Sequence, residues 1–133
     1  MIEYTTTEQE KIGKMQTDTL NIETANGPTT AYVVRPDSGG EKAVIVIQEW
    51  WGLNDHIKDI ADRYAAEGFT AIAPDLYRGK LAANPDEAGQ MMKALSIDDG
   101  LDTIKNTVDA AAKALSAGHF GITGFCMGGT FAL

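Results

Sequence analysis

The sequence predicts an α/β protein built on a doubly wound, mostly parallel sheet, on three observations. Ala43 to Ile47 is an unbroken apolar run, Ala-Val-Ile-Val-Ile, as a strand needs when helices cover both its faces. Segments with helical apolar spacing alternate along the chain with short apolar, strand-like runs, the grammar of crossover-connected strands. The hexapeptide Gly124-Phe125-Cys126-Met127-Gly128-Gly129 stands between the last such run and a helix start.

Residues 1–16 are polar, rich in Thr, Glu and Gln, and are expected to form an arm ahead of a single domain over 17–133. Alternating runs around Leu20 to Thr24 and Thr30 to Arg35, separated by Asn26-Gly27-Pro28, predict a hairpin at a sheet edge. Pro36 to Glu41 follows as a surface loop, and Ala43 to Ile47 is the first parallel strand. Asn54 is placed to cap a helix carrying Ile57, Ile60, Ala61, Tyr64 and Ala65 on one face, with Gly68 as its stop. Phe69 to Ala73 is the second parallel strand. Asn84-Pro85-Asp86-Glu87 combines a cap, a proline at the first helical position and an acid in the first turn. Ala88, Met91, Met92 and Leu95 supply that helix with an apolar face. The next helix starts near Asp98, carries Leu101, Ile104, Val108, Ala111, Ala112 and Leu115, and is expected to end at Gly118. His119 to Thr123 is then a strand.

The totals exclude several functions. With 133 residues the chain has room for one domain and a modest core. Its 11 basic against 19 acidic residues leave a net charge of −8, which repels nucleic acid and anionic membrane surfaces. The longest apolar run is far too short to span a bilayer. Glu3, Glu8 and Glu10 stand where a signal peptide has basic then apolar residues, so a cytoplasmic location is expected. One cysteine cannot make an internal disulfide. With one cysteine, two distant histidines, His56 and His119, and no H-E-x-x-H, no metal site is expected. Gly124 to Thr130 lacks the lysine of a phosphate-binding loop, and no G-x-G-x-x-G occurs for a dinucleotide.

Chemistry concentrates at Cys126. The hexapeptide has the form of a nucleophile elbow with cysteine in place of serine. So tight a strand-to-helix turn needs small residues two before and two after the nucleophile, and Gly124 and Gly128 meet that need. It also forces Cys126 into a strained backbone conformation that pushes the sulfur out of the sheet. The unpaired N–H groups at the start of a helix favour the thiolate, the nucleophilic form. A cysteine among glycines is equally what a small core residue looks like, so the hexapeptide by itself leaves both readings open. Gln48-Glu49-Trp50-Trp51-Gly52-Leu53-Asn54 follows the first parallel strand at its C-terminal end, where open α/β sheets place their ligands.

Taken with Ala73-Pro74-Asp75-Leu76-Tyr77-Arg78-Gly79 after the second parallel strand, the three segments in this order and spacing resemble the dienelactone hydrolase family of the α/β-hydrolase superfamily. The resemblance runs from about residue 18 to the end of the chain. It implies a three-layer α/β-hydrolase fold, truncated after the nucleophile elbow, and hydrolysis of small lactones or carboxylic esters with no cofactor. It implies that Cys126 attacks the carbonyl and that Glu49 contacts the resting cysteine and controls its ionisation. The oxyanion hole then maps to the backbone N–H groups of Trp50 and Met127. Arg78 is the candidate ligand for a substrate carboxylate, against the alternative of a solvated loop arginine.

Triad order in this superfamily is nucleophile, acid, histidine, yet only seven residues follow Cys126. His56 is read as a surface helix residue and His119 as a strand-end residue, and neither matches the family's histidine. The chain is therefore expected to be the N-terminal part of a longer domain. Loss of everything beyond the elbow strand would expose an apolar sheet edge, so homodimerisation or aggregation of the chain is expected. Two further functions stay in view. One is a non-catalytic binding or assembly module. The other is a thiol redox sensor, which Glu49 disfavours because a nearby carboxylate opposes the thiolate.

Overall fold

A computed structural model describes residues 15–133. Most of the polar arm expected over 1–16 lies outside the described residues. Five strands form one sheet in the order β1-β2-β4-β3-β5. They are β1 (Gln16–Ile22), β2 (Thr29–Arg35), β3 (Lys42–Ile47), β4 (Thr70–Pro74) and β5 (His119–Gly124), interleaved with helices α1 (Asp55–Ala66), α2 (Pro85–Ala94), α3 (Ile97–Ala114) and α4 (Met127–Ala132). β3 pairs in parallel with both β4 and β5, whereas β2 runs antiparallel to β1 and β4. Only β2 therefore runs against the common direction.

β3 shows why its run is continuous. Ala43, Ile45 and Ile47 enter one core cluster while Val44 and Val46 enter the other. The first cluster is covered by α2, α3 and α4 through Met91, Met92, Leu95, Val108 and Phe131. The second is covered by α1 through Ile57, Ala61 and Ala65. This is the three-layer arrangement. Burying each Ile or Val of β3 stabilises the sheet by roughly 1.5–3 kcal/mol, so the central strand anchors both layers.

Each long helix is capped where its sequence allows. Asn54 accepts from the Ile57 N–H at 3.1 Å and Asn84 from the Glu87 N–H at 2.9 Å. α3 is capped by Ser96, which accepts from the Asp99 N–H at 3.0 Å, so that helix begins at Ile97. It ends at Ala114, before Gly118, and the left-handed residue past its end is Ser116, at φ 55°. Gly118 instead donates its N–H to the Glu41 carbonyl at 3.0 Å.

The buried face of α3 also departs from its apolar pattern. Leu101 and Ala112 are exposed, and Thr103 and Thr107 are buried in their place. Their hydroxyls donate to the carbonyls of Asp99 and Thr103 at 2.9 and 2.7 Å, which satisfies the polar groups inside the helix and lets the side chains pack. β1 begins four residues before the expected Leu20, and Glu23 and Thr24 belong to the turn. Most of β1 is exposed, so its register is set by pairing with β2 rather than by burial.

Candidate active site at the C-terminal ends of the parallel strands

Residues 47 of β3 and 124 of β5 are register partners, so the segments leaving the two strands start at the same level, about 4.8 Å apart. Two residues on lie Glu49 and Cys126.

Cys126 has φ 56° and ψ −118°, a strained combination for a residue with a side chain, and it is exposed. The surrounding glycines make this turn possible. A Cβ on Gly124 would overlap the Gly128 carbonyl, and one on Gly128 would lie 2.5 Å from the carbonyl oxygens of Ile47 and Gln48. The elbow helix thus sits directly on the end of β3. Among the described residues, the backbone N–H groups of Trp50 and Met127 meet no protein acceptor.

Glu49 is about a quarter exposed, and its Oε1 lies 3.7 Å from His56 Nε2. No hydrogen bond joins it to Cys126 among the described residues. His56 is a surface residue on the first turn of α1, as expected, but its pairing with Glu49 was not legible because it depends on how the loop folds back. The Glu49-to-Gly52 turn closes with a 3.2 Å hydrogen bond from the Gly52 N–H to the Glu49 carbonyl, and Gly52 takes φ 103°. The Trp50 and Trp51 rings meet edge to face at 5.5 Å. His119 begins β5, at the opposite end from the site.

Gln48 is a residue that sequence reasoning passed over. It is fully buried, and its Oε1 accepts from the Leu76 N–H at 2.9 Å, tying the loop after β3 to the loop after β4. Its Nε2 has no acceptor among the described residues. A polar residue directly ending an apolar strand was the available signal.

The loop after β4 is organised by Asp75, whose carboxylate accepts from the Tyr77 N–H at 3.0 Å and the Gly79 N–H at 2.8 Å. Burial pushes the Asp75 carboxyl above its usual range, and these backbone donors partly oppose the shift. Tyr77 is buried and its hydroxyl donates to the Met127 sulfur at 3.5 Å, linking this loop to the elbow helix. Burial also raises the Tyr77 phenol.

Arg78 is at φ 52°, and its guanidinium is not free. Nη1 and Nη2 each donate to Asp99 at 2.9 Å, and Nη2 also donates to Thr24 Oγ1 at 2.7 Å. Hydrogen bonding to Asp99 strengthens the arginine's hold on its proton, and the same bonds hold the Asp99 carboxyl below the usual range. Arg78 is therefore not a solvated loop residue. Among the described residues, no group of three or more His, Cys, Asp or Glu could hold a metal ion, and no helix is long and apolar enough to cross a membrane.

Comparison with known proteins agrees with this fold. The sequence profile of the dienelactone hydrolase family matches residues 29–133. "Protein usf" of Aquifex pyrophilus is 46% identical over 110 residues, covering 77% of this chain and 47% of that protein. A protein of Aquifex aeolicus (strain VF5) named "Putative carboxymethylenebutenolidase" is 40% identical over 111 residues, with the same coverage of 77% and 47%. The solved structure of "m3DLH" superposes with a TM-score of 0.81 at 25% identity, covering 90% of this chain and 53% of that one. The chain thus spans about half the length of the relatives it matches. The chain belongs to the dienelactone hydrolase family.

Proposed function

We propose that this chain supplies the nucleophile-bearing half of a hydrolase of small lactones or carboxylic esters, with Cys126 as nucleophile and no cofactor. The observation that carries this reading is the exposed Cys126 at φ 56° on a turn whose flanking glycines admit no side chain. Such strain is retained where it presents a reacting atom.

The thiolate of Cys126 attacks the carbonyl carbon, forming the C–S bond while the π electrons move to oxygen. The Trp50 and Met127 N–H groups receive that oxyanion. Its collapse expels the alkoxide or enolate and leaves a thioester, which water then hydrolyses. Glu49, two residues beyond β3 as Cys126 is two residues beyond β5, is the carboxylate that the family resemblance assigns to the resting cysteine. The acid and histidine that assist these proton transfers would lie in the half of the relatives that this chain does not span.

A relative's name points to butenolide lactones as the substrate class, and a small uncharged ester should acylate the same sulfur. A second copy of the chain, paired through β5, is the partner expected. A cytoplasmic setting suits a single exposed thiol.

Mixing the chain with p-nitrophenyl acetate should release one equivalent of p-nitrophenolate and leave an acetyl group on the protein by intact mass. Cys126→Ala should show neither. An equal burst from that variant would remove Cys126 from the reaction.

A further inference from the structure

We propose that Arg78 is a positioning residue for the Trp50 oxyanion donor, acting through the loop after β4, and is not the ligand of a substrate carboxylate. This rests on the reading of Cys126 as nucleophile and of the Trp50 N–H as oxyanion donor.

The loop over residues 75–82 is the wall against which the Trp50 turn is built. Ala82 donates its N–H to the Trp51 carbonyl at 3.0 Å. Gly52 is so close to the same wall that a Cβ there would lie 2.8 Å from the Lys80 carbonyl oxygen and 3.0 Å from Leu81 Cδ2. A shift of residues 79–82 therefore acts directly on Trp51 and Gly52, the two residues that follow Trp50 in its turn.

What fixes the wall from its other side is Arg78. Its fork grips both oxygens of Asp99 at the first turn of α3, and the same Nη2 reaches Thr24 in the β1–β2 turn. Asn26 donates to Asp99 Oδ1 at 3.0 Å and the Ala25 N–H to Asp102 at 3.0 Å, so hairpin, helix and loop meet at one point. A planar bidentate pair fixes orientation as well as distance. Asp99 and Arg78 are partly buried, their side chains 14% and 25% exposed. Three of the five guanidinium N–H groups are thus engaged within the protein, both of those on Nη2 among them, and Nε is buried without a partner. Arg78 itself is held at φ 52°, in the left-handed region, within this loop.

The test uses the whole chain and two esters differing only in charge, p-nitrophenyl acetate and mono-p-nitrophenyl succinate. Under the positioning role, Arg78→Gln and Asp99→Asn each slow acylation of Cys126 by roughly 10- to 100-fold, less than the roughly 100- to 1000-fold cost of removing an oxyanion donor outright, because the donor is displaced and not lost. The loss is the same for both esters, falls on the acylation rate rather than on half-saturation, and does not deepen in the double variant. The exciton signal of the edge-to-face Trp50–Trp51 pair in circular dichroism should collapse in both variants while the backbone signal persists. Should Arg78→Gln unfold at the assay temperature, Arg78→Lys, which keeps the charge but not the fork, gives the same comparison with an intermediate loss.

A loss confined to the succinate ester, or faster succinate acylation in Asp99→Asn, would overturn the proposal and make Arg78 the carboxylate ligand. Unchanged rates with an unchanged tryptophan signal would overturn it too. If the wild type gives no Cys126-dependent burst, the nucleophile reading fails by itself. The tryptophan signal then decides whether Arg78 holds the loop.

Discussion

Cys126 occupies a backbone region that a residue with a Cβ enters at a cost of about 1–3 kcal/mol, and the elbow stores that strain. Replacement by glycine should therefore raise the urea midpoint by the equivalent of about 1 kcal/mol while abolishing acylation; a lower midpoint would mean that the turn is relaxed. The flanking glycines behave differently from one another. Gly128→Ala drives a methyl into the carbonyls of Ile47 and Gln48 and should cost about 3 kcal/mol, at the upper end for overpacking. Gly129→Ala meets its nearest atom at 3.4 Å and should be neutral or mildly stabilising, because alanine favours helix. Equal effects at the two positions in denaturant melts would contradict the packing described. These needs were visible in the spacing Gly-x-Cys-x-Gly, since a turn that tight constrains local geometry. The pairing of Glu49 with His56 was not, because it joins residues seven apart across a loop whose path depends on Gly52.

At the scale of elements, the hydrogen-bonded group around Asp99 joins α3, the β1–β2 turn and the loop after β4. Its carboxyl is held below the usual range, chiefly by Arg78. The sign follows from linkage: a lowered folded-state value stabilises the fold fully above the unfolded value of 3.8, and the gain disappears as pH falls through the lower folded value. Acid titration of stability should thus steepen below about pH 4, and Asp99→Asn should flatten that limb. An identical acid limb in wild type and variant would show that the pair contributes nothing to folding. Asp75 works in the opposite sense, since burial raises its carboxyl and favours the neutral form as pH falls. The caps were legible, Asn54 and Asn84 most plainly, because capping is a local exchange between one side chain and the next turn. The face of α3 was only partly so. Thr103 and Thr107 hide their hydroxyls in the helix's own carbonyls, which no hydropathy pattern records.

For the whole molecule the sheet is unevenly covered. β5 pairs with β3 on one side, and among the described residues its other edge has no partner. Ile122 of this strand and Phe125 just beyond its end are 41% and 39% exposed. An apolar groove of about 430 Å³ lies between Met92, Leu95, Ile97, Leu101 and Phe131. Free backbone groups beside apolar side chains favour edge-to-edge pairing. The scattering mass of the isolated chain should rise with concentration, and Ile122→Lys should hold it near 14.2 kDa. A monodisperse monomer of the wild type at high concentration would count against this.

The sequence by itself determined the layers, the helix starts and the elbow, because each depends on residues within a turn or two of one another. Ala43 to Ile47 has the unbroken apolar run of a strand buried on both faces, and Gly124 and Gly128 have the spacing of a tight turn once the neighbouring segments are read with them. What tertiary structure alone decided was which distant residues meet. Arg78 grips Asp99 and Thr24, 21 and 54 residues away, and Gln48 reaches Leu76 across 28. A guanidinium has the same chemistry in a substrate pocket as in a structural clamp, and only the placement of its partners by the folded sheet separates the two.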